Sequence, residues 1–208
     1  LAALNIYNGL LQGEAVDVPE IQEFTSLSEK ELDRINTLVQ NLLKITKLDA
    51  GSIVLEKKPE DVAEMMNNVE LRFSYRAEQE QKKLVLFGEE DIFLSCDRDW
   101  ILEAVDNIVK NAMDHTKSGD TIEIKWRKSA SIVQIQIKDN GSGIHPEDLH
   151  HIFKRFYRSR FSKDQQGIGL GLPLAKMIIE AHNGTIEVNS ELGKGTMFTI
   201  SFLIPIKL

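Results

Sequence analysis

One change of texture constrains this chain more than any other feature. Up to Asp49 the apolar residues step by threes and fours; beyond Gly51-Ser52 they alternate, cluster and break at turns. No single architecture satisfies both halves, so the residues before and after this point must form different structures. In the first half Leu32, Ile35, Leu38, Val39, Leu42, Ile45 and Leu48 predict one amphipathic helix over about 20–49, ending at Ala50-Gly51. Leu1, Leu4 and Leu11 predict a shorter helix over 1–12, with Gly13 as its stop. Two such helices make a hairpin whose stripe must be covered, either by the rest of the chain or by a second copy. A second copy, giving a four-helix bundle, is the expectation.

The second half predicts short strands at 53–57, 84–87 and 92–96. A helix over 60–79 follows the break at Pro59, and a stronger one covers 98–114. Strands at 121–126 and 132–138 follow, then an aperiodic stretch over 139–170, a helix over 172–182 and two last strands near 186–189 and 197–203. This order predicts an α+β fold, a two-layer sandwich with a mixed sheet covered by helices on one face, preceded by the helical hairpin. The domain boundaries expected are 1–51 and 52–208.

Composition narrows the partners. A net charge of −7 argues against a nucleic-acid binder. The single cysteine, Cys96, forms no internal disulfide and supports no cysteine-based zinc cluster; it reads as a small buried residue. No run of about 18 apolar residues is present, so no spanning segment is expected. The start, LAALNIYNGLLQGE, lacks a basic region and a cleavage site, so it does not read as a signal peptide. It reads as the middle of an element.

Four segments suggest chemistry. On the helix over 98–114 a polar line steps by four through Glu103, Asn107, Asn111 and His115, beside an apolar stripe. Asparagine is a poor helix former, but its carbonyl oxygen is a hard ligand suited to Mg²⁺. Asp139-Asn140-Gly141-Ser142-Gly143-Ile144 follows a strand; it is either a plain turn or a strand-end carboxylate placed to accept a hydrogen bond from an amine. Gly167-Ile168-Gly169-Leu170-Gly171-Leu172 leads into a helix and suits phosphate. It has neither the spacing of a dinucleotide fingerprint nor the Lys-Ser/Thr of a Walker loop. Gly193-Lys194-Gly195-Thr196 is a turn between the last strands.

Together, and in this order, these segments resemble the catalytic and ATP-binding part of a bacterial two-component sensor histidine kinase. NIVKNAMDHT resembles the family's asparagine box, DNGSGI its first glycine box, IFKRFYR its phenylalanine box, GIGLGL its second and GKGT its third glycine box. ELDRINTLVQNLLKITKLDAG resembles the second helix of the dimerisation and phosphotransfer domain, and LAALNIYNGLL part of the first.

The resemblance implies a kinase that binds ATP with Mg²⁺ and passes the γ-phosphoryl to a histidine, and from there to a response regulator aspartate. It assigns the metal to Asn111 and phosphate or metal-water contacts to Asn107. It assigns the adenine amine to Asp139 and a water-mediated contact beside it to Thr196. Gly143 would give the ring room, and Gly167, Gly169 and Gly171 would cradle the triphosphate. Tyr157 and Arg158 would reach the nucleotide from a basic lid over 154–166. Gly141, Ile144, Leu170 and Leu172 complete the expected nucleotide site. Asp114 and His115 stand where the family usually has Lys and Tyr; Asp114 is assigned no phosphate contact, whereas His115 can still donate one.

The phosphoacceptor is expected before Leu1, since His115, His145, His150, His151 and His182 all lie outside the hairpin. The chain is therefore expected to bind ATP without phosphorylating itself. The parent is expected to be a dimer through the hairpin, anchored in the membrane, with this part on the cytoplasmic side. The alternatives are a related-fold ATPase, or an anti-sigma-type serine kinase or nucleotide-binding module. The related ATPases place a Glu where Asn107 stands, and an amide cannot act as general base.

Overall fold

The computed structural model describes residues 2–14, 18–159 and 167–204. The chain divides into two compact units, Leu1–Lys47 and Leu48–Leu208.

The first unit contains helix α1 (Ala2–Glu14) and most of α2 (Pro19–Asp49). Gly13 lies within α1 instead of ending it, whereas α2 stops where expected, with Gly51 in the left-handed region at φ +59°. A buried bond joins the two helices: Asn8 Nδ2 donates to the Thr25 carbonyl at 2.8 Å. Thr25 turns its own hydroxyl back to the Ile21 carbonyl. Much of the apolar stripe stays uncovered within the chain, including Leu4, Leu10, Leu11, Phe24, Leu27 and Leu43.

The second unit is built on a five-stranded sheet of β2 (Lys83–Gly88), β4 (Thr121–Lys128), β5 (Ile132–Asp139), β7 (Gly195–Leu203) and β6 (Gly184–Glu191), in that spatial order. Among the described strands only β2 and β4 pair in parallel. Alternation decides the buried face. Ile124, Ile137 and Phe198 stand opposite one another across three strands, and Trp126, Ile135 and Ile200 form the next row. All six are buried, while Lys125, Lys138 and Thr199 on the other face are not. Gly88 has no alternative at the end of β2, because a Cβ there would fall 1.9 Å from the Trp126 ring.

Helices α3 (Val62–Gln79), α4 (Arg98–Asp114) and α6 (Gly171–Ala181) cover this face, giving the expected two-layer sandwich. α4 supplies the centre through Ile101, Leu102, Ala104, Val105, Ile108, Val109, Ala112 and Met113, all buried. Asp61 caps α3 by accepting from the Glu64 N–H.

The strand expected at 53–57 is not formed. The first strand, β1 (Lys58–Asp61), lies further on and pairs antiparallel with β3 (Phe93–Cys96), placing Pro59 opposite Ser95. Apolar content at 53–55 misled the expectation: Val54 is 88% exposed and has no sheet to join. A short helix, α5 (Pro146–Leu149), interrupts the aperiodic stretch. No helix among the described residues is long and apolar enough to cross a membrane.

A buried histidine ties the C-terminal end of α6 to the start of α4. His182 accepts the Asp97 N–H at Nε2 (3.2 Å), and its Nδ1 lies 2.8 Å from the Ile178 carbonyl. This pairing requires the neutral ring with its proton on Nδ1. Burial pushes the His182 pKa below its ordinary value, against the opposing pull of the Ile178 carbonyl. The neutral ring therefore contributes stability that is present above about pH 6.5 and lost as pH falls through the lower folded value. Urea unfolding at pH 7.5 and at pH 5 should give a stability loss on acidification that is smaller in His182→Gln. An equal loss in both proteins would refute the assignment.

Candidate nucleotide site

The site is assembled on the polar line of α4. Glu103, Asn107, Asn111 and His115 lie along it, all half-buried, as expected from their spacing. The Asn107 side-chain N–H donates to the Glu103 carbonyl at 2.8 Å, which aims its Oδ1 towards α6. There Gly171 opens the helix, and a Cβ at Gly171 would fall 2.8 Å from Asn107 Oδ1. The second glycine segment and the asparagine line are therefore in direct contact. The Asn111 side chain forms no hydrogen bond among the described residues.

The strand-end carboxylate of Asp139 is 4% exposed. Its Oδ1 accepts the Gly141 N–H at 2.9 Å and the Thr196 N–H at 3.2 Å. The other oxygen has no hydrogen bond among the described residues. Burial pushes the Asp139 carboxyl above the usual carboxylate range, against the pull of those two N–H groups and of His115. The site therefore holds an acceptor that is half-satisfied by backbone and half-available to a donor.

Backbone contacts join the remaining segments around Asp139. The Ser142 N–H donates to the His115 carbonyl at 3.1 Å, and the Gly193 N–H to the Ser142 carbonyl at 2.7 Å. Gly195 lies against the Asp139 carbonyl, where a Cβ would come within 2.0 Å. Gly143, at φ +68°, lies against the Glu191 carbonyl, where a Cβ would come within 2.2 Å. Ring room is the expectation at Gly143 and a triphosphate cradle at Gly171; here the space that a Cβ would take at Gly141, Gly143 and Gly171 is occupied by His115, Glu191 and Asn107 of the protein itself. At Gly167 alone in these segments a Cβ would meet open space while φ stays outside the left-handed region.

Ser190 was not foreseen. Its hydroxyl accepts the Ile144 N–H at 2.8 Å, donates to the Gly195 carbonyl at 2.9 Å and lies 3.0 Å from the Thr196 hydroxyl. A lone serine in a strand carries no motif, so the sequence offers no signal for it.

Leu170 is buried at the cap of α6, and Leu172 is half-buried in its first turn. Among the described residues no side chain caps this helix and its first turn has no acid, so its first N–H groups, which have no partner within the helix, are left for another acceptor. Tyr157 commits its hydroxyl to Asp148 at 2.6 Å, and Arg158 is exposed. Of the expected lid, 160–166 lies outside the described residues. Arg76 explains the unusual Asp114: its guanidinium meets the Asp114 carboxylate at 2.7 Å, which turns that acid towards α3 and away from the site.

A buried carboxylate and an uncapped helix end, both set against one polar helix line on a two-layer sandwich, define an ATPase-type domain. Residues 96–206 match the family described as histidine kinase-, DNA gyrase B-, and HSP90-like ATPase. Sensor protein SrrB of Staphylococcus aureus (strain NCTC 8325 / PS 47) is 34% identical over 198 residues, covering 94% of this chain. The chain spans about a third of that relative, 34% of its length. Among solved structures, the catalytic domain of histidine kinase ThkA superposes with a TM-score of 0.64 at 25% identity, covering 71% of this chain and 95% of that one. Full-length ShkA in complex with AMPPNP gives a TM-score of 0.80 at 22% identity, over 96% of this chain and 42% of that one. ThkA in complex with the response regulator TrrA gives 0.75 at 22%, over 99% and 58%. The chain belongs to the histidine kinase-, DNA gyrase B-, and HSP90-like ATPase family.

Proposed function

We propose that this domain holds Mg·ATP between Asp139 and the N-terminal end of α6 and presents the γ-phosphoryl to a histidine. The observation that carries this reading is the half-satisfied Asp139 carboxylate, together with an uncapped α6 that meets the polar line of α4 at Asn107. Asp139 accepts the exocyclic amine of adenine through its second oxygen, with Thr196 and the Ser190 hydroxyl fixing the wall beside it. Gly141, Gly143 and Ile144 hold that wall in place through their backbone contacts. The N–H groups of Gly171 and Leu172 receive phosphate oxygens, helped by the positive end of the helix. Gly167, Gly169 and Leu170 set the approach to them, and Tyr157 and Arg158 border the phosphates.

Asn111 fits a Mg²⁺ ligand, since its carbonyl oxygen is uncommitted and Asn107 stands one turn away to order a metal water. No cluster of three or more His, Cys, Asp or Glu suited to a metal occurs among the described residues. Bound at Asn111, the ion would neutralise phosphate charge, the main requirement of phosphoryl transfer. His115 donates to phosphate from the end of the same line.

The acceptor is a histidine outside these 208 residues, because none of the five here lies on the hairpin. The hairpin's uncovered stripe supports pairing of two copies in the parent protein, and residues 1–51 and 52–208 serve as its dimerisation and catalytic parts. A response regulator receives the phosphoryl group in turn. A membrane-anchored parent with this part on the cytoplasmic side completes the reading.

Titration calorimetry with a non-hydrolysable ATP analogue tests the site. Mg²⁺ should tighten binding to the native chain, and Asn111→Ala should remove about tenfold of affinity together with that Mg²⁺ dependence. Retained Mg²⁺ dependence in Asn111→Ala would refute the metal assignment. Brisk steady-state ATP hydrolysis would instead favour a related-fold ATPase, a reading that Asn107 opposes because an amide cannot activate water.

A further inference from the structure

The segment before the second glycine box contains a buried acid that the proposed chemistry does not use. Asp148, on α5, is 3% exposed. It accepts the Tyr157 hydroxyl at Oδ1 (2.6 Å) and the Ser159 hydroxyl at Oδ2. Both carboxylate oxygens are thus taken by hydroxyls nine and eleven residues further along the chain. The backbone they fix lies directly on the second glycine box. The Phe156 N–H donates to the Gly169 carbonyl at 2.9 Å, and a Cβ at Gly169 would fall 2.6 Å from the Tyr157 carbonyl. Gly169 sits at φ +75° and Phe156 at φ +61°, so the contact is made by two residues in the left-handed region. Two residues after Gly169, α6 begins.

We propose that Asp148 is a positioning residue for the phosphate-binding end of α6, acting through the Tyr157 and Ser159 hydroxyls and the seat of Phe156 and Tyr157 on Gly169. The inference rests on the nucleotide reading above. Its physical basis is the strength of hydroxyl-to-carboxylate bonds in a buried place. Burial alone would raise the Asp148 pKa; the Ser159 and Tyr157 hydroxyls, with His145 and His151 nearby, hold it below the usual range, so the acid stays ionised and accepts from both. The His151 ring lies 5.2 Å from the Tyr157 ring and limits its movement. The Phe153 ring, edge-on to Phe198 and beneath the Lys176 ammonium, holds the same segment through contacts that do not involve Asp148. Phe153 is an independent anchor, so losing the Asp148 clamp should shift the seat on Gly169 without unfolding the domain.

The test separates phosphate from base. Affinities of the native chain, Asp148→Ala and Asp148→Asn for a non-hydrolysable ATP analogue and for AMP are measured by displacement of a fluorescent nucleotide. Thermal unfolding is recorded alongside. Asp148→Ala should lose about tenfold in triphosphate affinity while AMP affinity changes less than about twofold. Asp148→Asn, which keeps one acceptor oxygen, should lose less. Unchanged triphosphate affinity in Asp148→Ala would overturn the proposal. An equal loss for both nucleotides with a lowered melting temperature would also overturn it, leaving a merely structural acid. Failure of the native chain to bind any nucleotide would instead overturn the underlying site. Should Asp148→Ala not fold, Ser159→Ala removes one of the two bonds and leaves Tyr157 in place; it should lose about threefold in triphosphate affinity with AMP affinity unchanged, and no loss would overturn the proposal.

Discussion

Asp139→Asn is expected to weaken binding of an ATP analogue by about a hundredfold, equivalent to about 3 kcal/mol, while leaving the domain folded. The substitution keeps one oxygen for the Gly141 and Thr196 N–H groups, which already converge on Oδ1. It replaces the second oxygen by an N–H donor, which then faces the donor amine of adenine. Two donors meeting in a buried pocket lose a bond and leave both groups unsatisfied. Stability should move the other way. Burial raises the folded-state pKa of Asp139, so its ionised form is less favourable in the fold than in the unfolded chain. Any stability linked to this group is therefore present at low pH and lost as pH rises through the folded value. At neutral pH the amide escapes that cost, and the variant should melt no lower than the native chain. Calorimetry and thermal unfolding on the same samples check both halves; a variant that keeps native affinity removes Asp139 from the site.

Gly195→Ala is expected to cost several kcal/mol of stability, about 3 or more, and to abolish nucleotide binding with it. Gly195 adopts φ +110°, which residues with a side chain avoid, and the added methyl would lie 2.0 Å from the Asp139 carbonyl oxygen. The obstacle is backbone, so no rotamer change relieves it. Either β7 slips away from β5 or the end of β5 moves, and both displace the carboxylate that Thr196 helps to hold. Gly167→Ala is the control, since a Cβ there meets nothing. Urea unfolding of the two variants gives the comparison; equal stabilities would contradict the packing described.

The sequence disclosed most where one helix or one strand determined the outcome. α4 spans Arg98–Asp114, as its periodicity required, and its polar line faces the glycine segments. The sheet followed from alternation in β4, β5 and β7. What stayed hidden depended on partners distant along the chain. β1 has the composition Lys-Pro-Glu-Asp and is a strand only because β3 lies beside it. Ser190 and Asp148 carry no motif, and their importance comes from the loops that fold onto them. The glycines were legible as special, but not in cause. They admit backbone carbonyls of the protein at Gly141, Gly143 and Gly195, a cause that the motifs do not reveal. Asp114 was legible as a departure from pattern, and Arg76 supplies its reason.

The lone thiol offers an experimental handle. Cys96 is fully buried, and burial foremost pushes its pKa up to about 12. Labelling reagents attack thiolate, which Cys96 does not expose at neutral pH. A cysteine introduced at an open position such as Gly167 would therefore be the one reactive thiol of the folded chain. A fluorophore or spin label placed there could report nucleotide arrival at the mouth of α6 with no prior removal of native cysteine.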